Sequence, residues 1–125
     1  RGRFPFRSLI EQGWRLSGSS DVWIGSEREA TNPFFSIWCC MRRQTYAGLT
    51  IDADEAFDFD TALMMHTIDA AAVLGEEDDK GSLAPGKLAD LIAVDGDPRS
   101  MAVDDIRRLR PTYVMSHGRT VKNTR

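Results

Sequence analysis

Apolar residues recur at helical spacing in some stretches of the chain and alternate in others. Phe6, Leu9 and Ile10 fall at i, i+3 and i+4 with Gly13 as a stop, predicting a short amphipathic helix. Trp14-Arg15-Leu16-Ser17 alternates, predicting a short strand that runs into Gly18-Ser19-Ser20-Asp21. A helix closed by glycine, then a strand ending in small residues and a carboxylate, is an αβ unit of an α/β protein. Residues 22–31 show no period. Asn32-Pro33 supplies an N-cap side chain followed by proline at the first helical position. Phe34, Ile37, Trp38 and Met41 mark one face of that helix. At this spacing the aromatics read as core rather than as the lining of a substrate pocket.

Residues 44–58 read as an acidic connector. Asp58 is the expected N-cap of a helix carrying Ala62, Leu63 and Met65, and Thr67 the expected cap of a second over Ile68, Ala71, Ala72 and Leu74, stopped by Gly75. His66 stands at the junction and, with no partner at i+4, reads as a hydrogen-bonded residue rather than a metal ligand. Beyond the solvated run Glu76-Glu77-Asp78-Asp79, Pro85-Gly86 predicts a type II turn. Residues 88–94 predict a strand buried on much of both faces, followed by a turn at 95–98. Thr112–Met115 and Thr120-Val121 flank Ser116-His117-Gly118-Arg119, predicting a β-hairpin with His117 exposed in its turn.

Length narrows this picture. The chain has 125 residues, enough for one modest domain or part of a larger one and too few for a complete (β/α)₈ barrel of about 250. It opens on Arg1 rather than Met and is read as an internal piece of a longer protein. No stretch approaches the roughly 20 apolar residues of a membrane span, and RGRFPFRSL lacks the apolar core of a secretory signal. The net charge of −3 is unevenly spread: +3 over residues 1–50, −12 over 51–106 and +6 over 107–125. A basic tail raises nucleic-acid binding. Here Arg107, Arg108 and Arg110 interleave with Ile106 and Leu109, as on the outer face of a structured segment, so no nucleic-acid partner is expected. Cys39 and Cys40 are adjacent and form no Cys-x-x-Cys spacing; they read as small buried filler in a reducing, cytoplasmic compartment.

A self-contained active site is not legible. The chain has no P-loop, no Gly-x-Gly-x-x-Gly, no Gly-x-Ser-x-Gly and no His-Glu-x-x-His, and its two histidines cannot build a multi-histidine metal site. One carboxylate stands out. Asp21 lies where the predicted strand ends, and in α/β barrels those strand ends form the active-site face. A carboxylate there can hold a divalent metal and take a proton from its bound water. Position alone equally allows Asp21 to cap the following turn.

Residues 80–98, KGSLAPGKLADLIAVDGDP, resemble the C-terminal signature of the amidohydrolase superfamily. FRSLIEQG, the Ser-Ser-Asp segment, NPFFSIWCCMRR and TIDAAAVLGEEDDKGSLAPGKLADL together resemble the amidohydrolase-3 (YtcJ-like) branch, which includes N-substituted formamide deformylases. The resemblance implies an α/β fold in which residues 1–75 are the C-terminal portion of a metal-dependent (β/α)₈ TIM barrel. Residues 76–125 would be the closing strands of a composite β-sandwich domain, leaving the fold incomplete. The family's eighth strand ends in Gly-Ser-Asp, whose aspartate binds metal and moves the catalytic proton. Asp21 matches it, as metal ligand and catalytic residue, while Ser19 replaces the glycine. His66 and His117 match no ligand position, and the PGK-ADL signature is structural.

The implied activity is hydrolysis of amide or N-formyl C–N bonds. The implied cofactor is a divalent metal, zinc in one or two ions, with most ligands missing from this chain. Expected partners are a small-molecule amide substrate, the missing N-terminal part of the same protein and a second copy in a homodimeric parent, with no nucleic acid and no membrane. Two alternatives remain open: a non-catalytic interaction or vestigial domain, and, within the superfamily, a deaminase or cyclic-imide hydrolase.

Overall fold

The computed structural model describes residues 4–23, 29–45 and 47–124. The predicted loop over 22–31 therefore lies partly outside the described residues. Five short helices precede or interrupt one small sheet: α1 (Phe6–Glu11), α2 (Pro33–Arg42), α3 (Phe59–Met65), α4 (Ile68–Leu74), β1 (Leu91–Ala93), α5 (Val103–Ile106), β2 (Tyr113–Ser116) and β3 (Arg119–Asn123), with a 3₁₀ turn at Ala53–Glu55. No helix among the described residues is long and apolar enough to cross a membrane.

The core forms where α2 meets α3 and α5. The predicted face of α2 is the buried one, with Phe34, Ile37 and Trp38 inside, joined by Phe57, Phe59, Ala62, Met65 and Ile106. Met41, Leu16, Val94, Met101 and Leu109 pack against this cluster. Asn32 starts α2 as expected, its Oδ1 accepting the Phe34 N–H at 3.3 Å. Its Nδ2 does something the sequence did not foretell, donating to the carbonyls of Arg107 (3.0 Å) and Leu109 (3.3 Å). One buried amide thus closes a helix start and ties down the segment after α5. The arginines of that segment lie on structure, as expected: Arg107 stacks over the Trp38 ring at 5.0 Å, and Arg110 pairs with Glu29 at 3.3 Å.

Four expectations need correction. Residues 14–17 form no strand. A strand is stabilised by a ladder on a neighbour, and the only sheet among the described residues is β1–β2–β3. Thr67 stands at the N-cap position of α4 as expected, but its side chain makes no capping bond; its hydroxyl donates backward to the Leu63 carbonyl at 2.8 Å, so the α3–α4 junction is held by the end of α3. The strand predicted over 88–94 shortens to Leu91–Ala93 and is not buried on both faces, because β1 is a sheet edge and Ile92 is 50% exposed. The connector over 44–58, of which residue 46 lies outside the described residues, is only partly solvated: Phe57 and Glu55 are buried.

The other local readings hold. Asp58 accepts the Thr61 N–H at 2.7 Å, a contact that pulls its carboxyl below the ordinary aspartate range. Pro85-Gly86 makes the turn, Gly86 sitting at φ +93 as the second central residue requires. The hairpin turns through His117 (φ +49) and Gly118 (φ +73), the left-handed pair of a type I′ turn. His117 is exposed, and its N–H is held by Asp90 Oδ1 at 2.6 Å.

Glu55 is the one buried carboxylate of the described residues, and it accepts both the hydroxyl and the backbone N–H (2.9 Å) of Ser8. The Ser8 hydroxyl first, then its N–H, lowers the Glu55 pKa. A folded-state pKa below the unfolded one stabilises the fold above the unfolded value, near 4.3. That contribution is lost as pH falls through the folded pKa. Glu55→Gln is therefore expected to lower the melting temperature at neutral pH, with the gap to wild type closing below about pH 4. Thermal melts of both chains from pH 7 to 3 check this; a gap independent of pH would refute it.

Candidate functional site

Asp21 ends an extended segment that runs from α1 across the C-terminal end of α3. Two contacts place that segment. The Gly18 N–H donates to the Met65 carbonyl at 2.8 Å, using one of the carbonyls a helix leaves unpaired at its last turn. The His66 ring then lies where a Gly18 side chain would stand. A Cβ built on Gly18 would come within 2.3 Å of Cε1, 2.4 Å of Nε2 and 2.7 Å of Nδ1. Only glycine admits this approach.

Asp21 itself is exposed, at φ +45, a left-handed conformation that aspartate tolerates better than most residues. Its N–H donates to Ser19 Oγ at 3.3 Å. Ser19, which stands where the resemblance expects glycine, thus closes a short turn at the Asp21 backbone. Among the described residues no ion pair or hydrogen bond holds the Asp21 carboxylate.

The structure does not gather further ligands around it. Among the described residues no three His, Cys, Asp or Glu side chains come together as a metal-holding group. His66 is committed elsewhere: Nδ1 lies 2.8 Å from the Ala62 carbonyl and Nε2 2.9 Å from Ser36 Oγ. A carbonyl only accepts, so Nδ1 carries the proton and, in the neutral ring, Nε2 accepts from the serine. His117 stands on the hairpin beside Asp90, Nδ1 at 3.8 Å. One carboxylate oxygen donor does not make a metal site, so the described residues by themselves do not fit the divalent ion that the resemblance implies.

A cleft of about 340 Å³ opens beside α2, lined by Phe4, Phe6, Ser36, Cys39, Cys40 and Arg43 among others, and Asp21 is not among its lining residues. Its walls are mostly apolar. The Arg43 guanidinium is nearly buried, donating to the carbonyls of Ile51 (3.2 Å) and Phe4 (3.2 Å). Burial raises the Cys40 thiol pKa, with Arg43 pulling the other way, so the thiol is protonated and poorly nucleophilic at neutral pH. That agrees with cysteine as filler. Sequence reasoning missed the Gly18–His66–Ser36 stack; the available signal was His66 at i+4 from Ala62, at the last turn of the α3 helix.

Three relatives fix the setting. The chain is 37% identical over 113 residues to an N-substituted formamide deformylase of Arthrobacter pascens, covering 89% of this chain and 20% of that protein. It is 34% identical over 95 residues to a 5-methylthioadenosine/S-adenosylhomocysteine deaminase of Teredinibacter turnerae (75% and 20%). It is 34% identical over 117 residues to an imidazolonepropionase of Acinetobacter baumannii (94% and 26%). The chain thus spans about a fifth to a quarter of the length of these relatives. The family profile described as "Amidohydrolase family" matches residues 1–122, and the chain belongs to that family.

Proposed function

We propose that this chain is the C-terminal part of a hydrolase acting on C–N bonds other than peptide bonds, with a small amide or N-formyl compound as substrate and Asp21 as its catalytic carboxylate. The match over residues 1–122 is the observation behind this reading; Asp21 is assigned from the likeness of Ser19-Ser20-Asp21 to the family's Gly-Ser-Asp. Residues 1–75 are assigned to the last part of a (β/α)₈ barrel and residues 76–125 to the closing strands of a β-sandwich. The antiparallel β1–β2–β3 sheet supports the second assignment. The two thiols favour a reducing, cytoplasmic setting.

Hydrolysis of a C–N bond requires a proton to leave the attacking water and another to reach the departing nitrogen. A single accessible carboxylate can do both in turn, as base and then as acid. Asp21 is suited to this because it is exposed and its carboxylate is not tied up by a described neighbour. A divalent ion, one or two zinc ions in this proposal, would supply a water of lowered pKa. Among the described residues Asp21 is the ligand this chain would offer, and the others would come from the rest of the protein.

A deaminase is the second reading, favoured by the name of the Teredinibacter relative. The proton work of Asp21 would be the same, but ammonia would be released in place of formate. As for the isolated chain, its exposed Trp14 (63%), Leu74 (71%) and Leu83 (77%), with the open edge of β3, favour self-association over catalysis.

In the full-length protein, Asp21→Asn is expected to lower kcat by at least about 100-fold with bound metal retained. Turnover near wild type would sink the assigned role. Formate release from an N-substituted formamide, set against ammonia release from 5-methylthioadenosine, separates the two substrate readings. The 125-residue chain alone is expected to elute above monomer mass and to retain no zinc; a zinc-loaded monomer would contradict the incomplete site.

A further inference from the structure

We propose that His66 is a positioning residue for Asp21, its ring serving as the rigid plate on which the Gly18–Asp21 segment is laid. The inference rests on the reading of Asp21 given above but on separate observations. The ring lies against Gly18 at a spacing that excludes any Cβ. Both ring nitrogens are tied, one to the end of α3 and one to Ser36 on α2, so the plate cannot swing aside without losing two hydrogen bonds. The adjacent Met65 carbonyl fixes the Gly18 N–H in the same place.

This arrangement explains two things that the sequence leaves unexplained. Among the described residues no strand ladder holds the backbone around Gly18, yet Asp21 must return to one position if it is to take and then give back a proton. The α3 terminus supplies the missing restraint, through one backbone bond and one ring face. It also gives the histidine a use that requires neither metal nor proton transfer: both nitrogens are spent on holding the ring, and the ring face holds the chain.

Gly18→Ala, His66→Ala and the double variant, made in the full-length protein, test the proposal. A misplacement of about 1 Å costs on the order of 100-fold in rate, so each single change is expected to lower kcat by about 10- to 100-fold with little change in KM. In the double variant the new methyl enters the space the ring has left, so kcat is expected to recover above that of Gly18→Ala. Hydrogen exchange supplies a readout independent of activity. His66→Ala should accelerate exchange at residues 18–21 while leaving α2 and the β2–β3 hairpin unchanged.

Should His66→Ala unfold the protein, shown by lost protection in α2, Ser36→Ala replaces it. That change frees one edge of the ring without opening a cavity, and exchange at 18–21 should still rise. Independent, multiplicative losses in the double variant, or unchanged exchange at 18–21 in the variant that folds, overturn the proposal. If Asp21→Asn is active while His66→Ala still loosens 18–21, the positioning stands and the catalytic reading of Asp21 falls. If Asp21→Asn is dead while His66→Ala leaves both kcat and exchange unchanged, the positioning falls and Asp21 stands.

Discussion

The apolar face of α2 is the constraint on which the rest of the molecule depends. Ile37 and Ile106, each 1% exposed, are the most deeply buried large side chains of the core, and they come from opposite halves of the chain. Burying a side chain of this size contributes about 1.5–3 kcal/mol, a large share of the 5–15 kcal/mol margin of a small domain. Polar groups reinforce the junction. Asn32 caps α2 and grips two carbonyls beyond α5, while the Trp38 indole N–H donates to Asp104 at 3.0 Å on α5. With α2 and α5 locked in this way, α3 packs into the remaining side of the cluster through Phe59, Ala62 and Met65.

Features whose partners are close in sequence were legible. The caps at Asn32 and Asp58, the stops at Gly13 and Gly75, the Pro85-Gly86 turn and the His117-Gly118 hairpin each depend on a few neighbouring residues. Two of the failures concern partners far along the chain, and one, at Thr67, a local competitor. Alternation over 14–17 cannot say whether a neighbouring strand exists, and none does among the described residues. Glu55 looked like one more acid in an acidic connector, yet Ser8, 47 residues earlier, takes it out of solvent. Thr67 had the composition of a cap, but its hydroxyl found the carbonyl four residues back. Of the candidate site, family resemblance points to Asp21 as a proposal, whereas the ring packed behind Gly18 was not legible at all, because no spacing links residues 18, 36 and 66.

Charge turned out to be mostly an outer layer. Acids of the middle meet arginines of the first stretch and of the tail in exposed pairs, Arg42 with Asp104 at 3.3 Å and Arg108 with Asp105 at 3.6 Å. Arg99 reaches Asp60 on α3 at 2.6 Å in the same manner. Exposed pairs of this kind contribute about 0–1 kcal/mol each, well below the core term. The +6 of the tail and the −12 of the middle therefore tune solubility and orientation more than they determine the fold.

From the core to the carboxylate there is one line of dependence. The α2 face orders α3, the last turn of α3 presents the Met65 carbonyl and the His66 ring, and these two groups receive Gly18. Three residues later the chain turns through Ser19 Oγ and leaves Asp21 in solvent. A proton-carrying carboxylate needs a fixed backbone and an unencumbered head, and the two demands conflict if the same contacts must meet both. Here they are divided: the backbone is held at Gly18, away from the head, and the Asp21 oxygens stay available. In the proposed role, placing the restraint three residues upstream leaves the holding residues with no chemistry of their own to carry. A glycine, a helix-end carbonyl and an imidazole ring suffice.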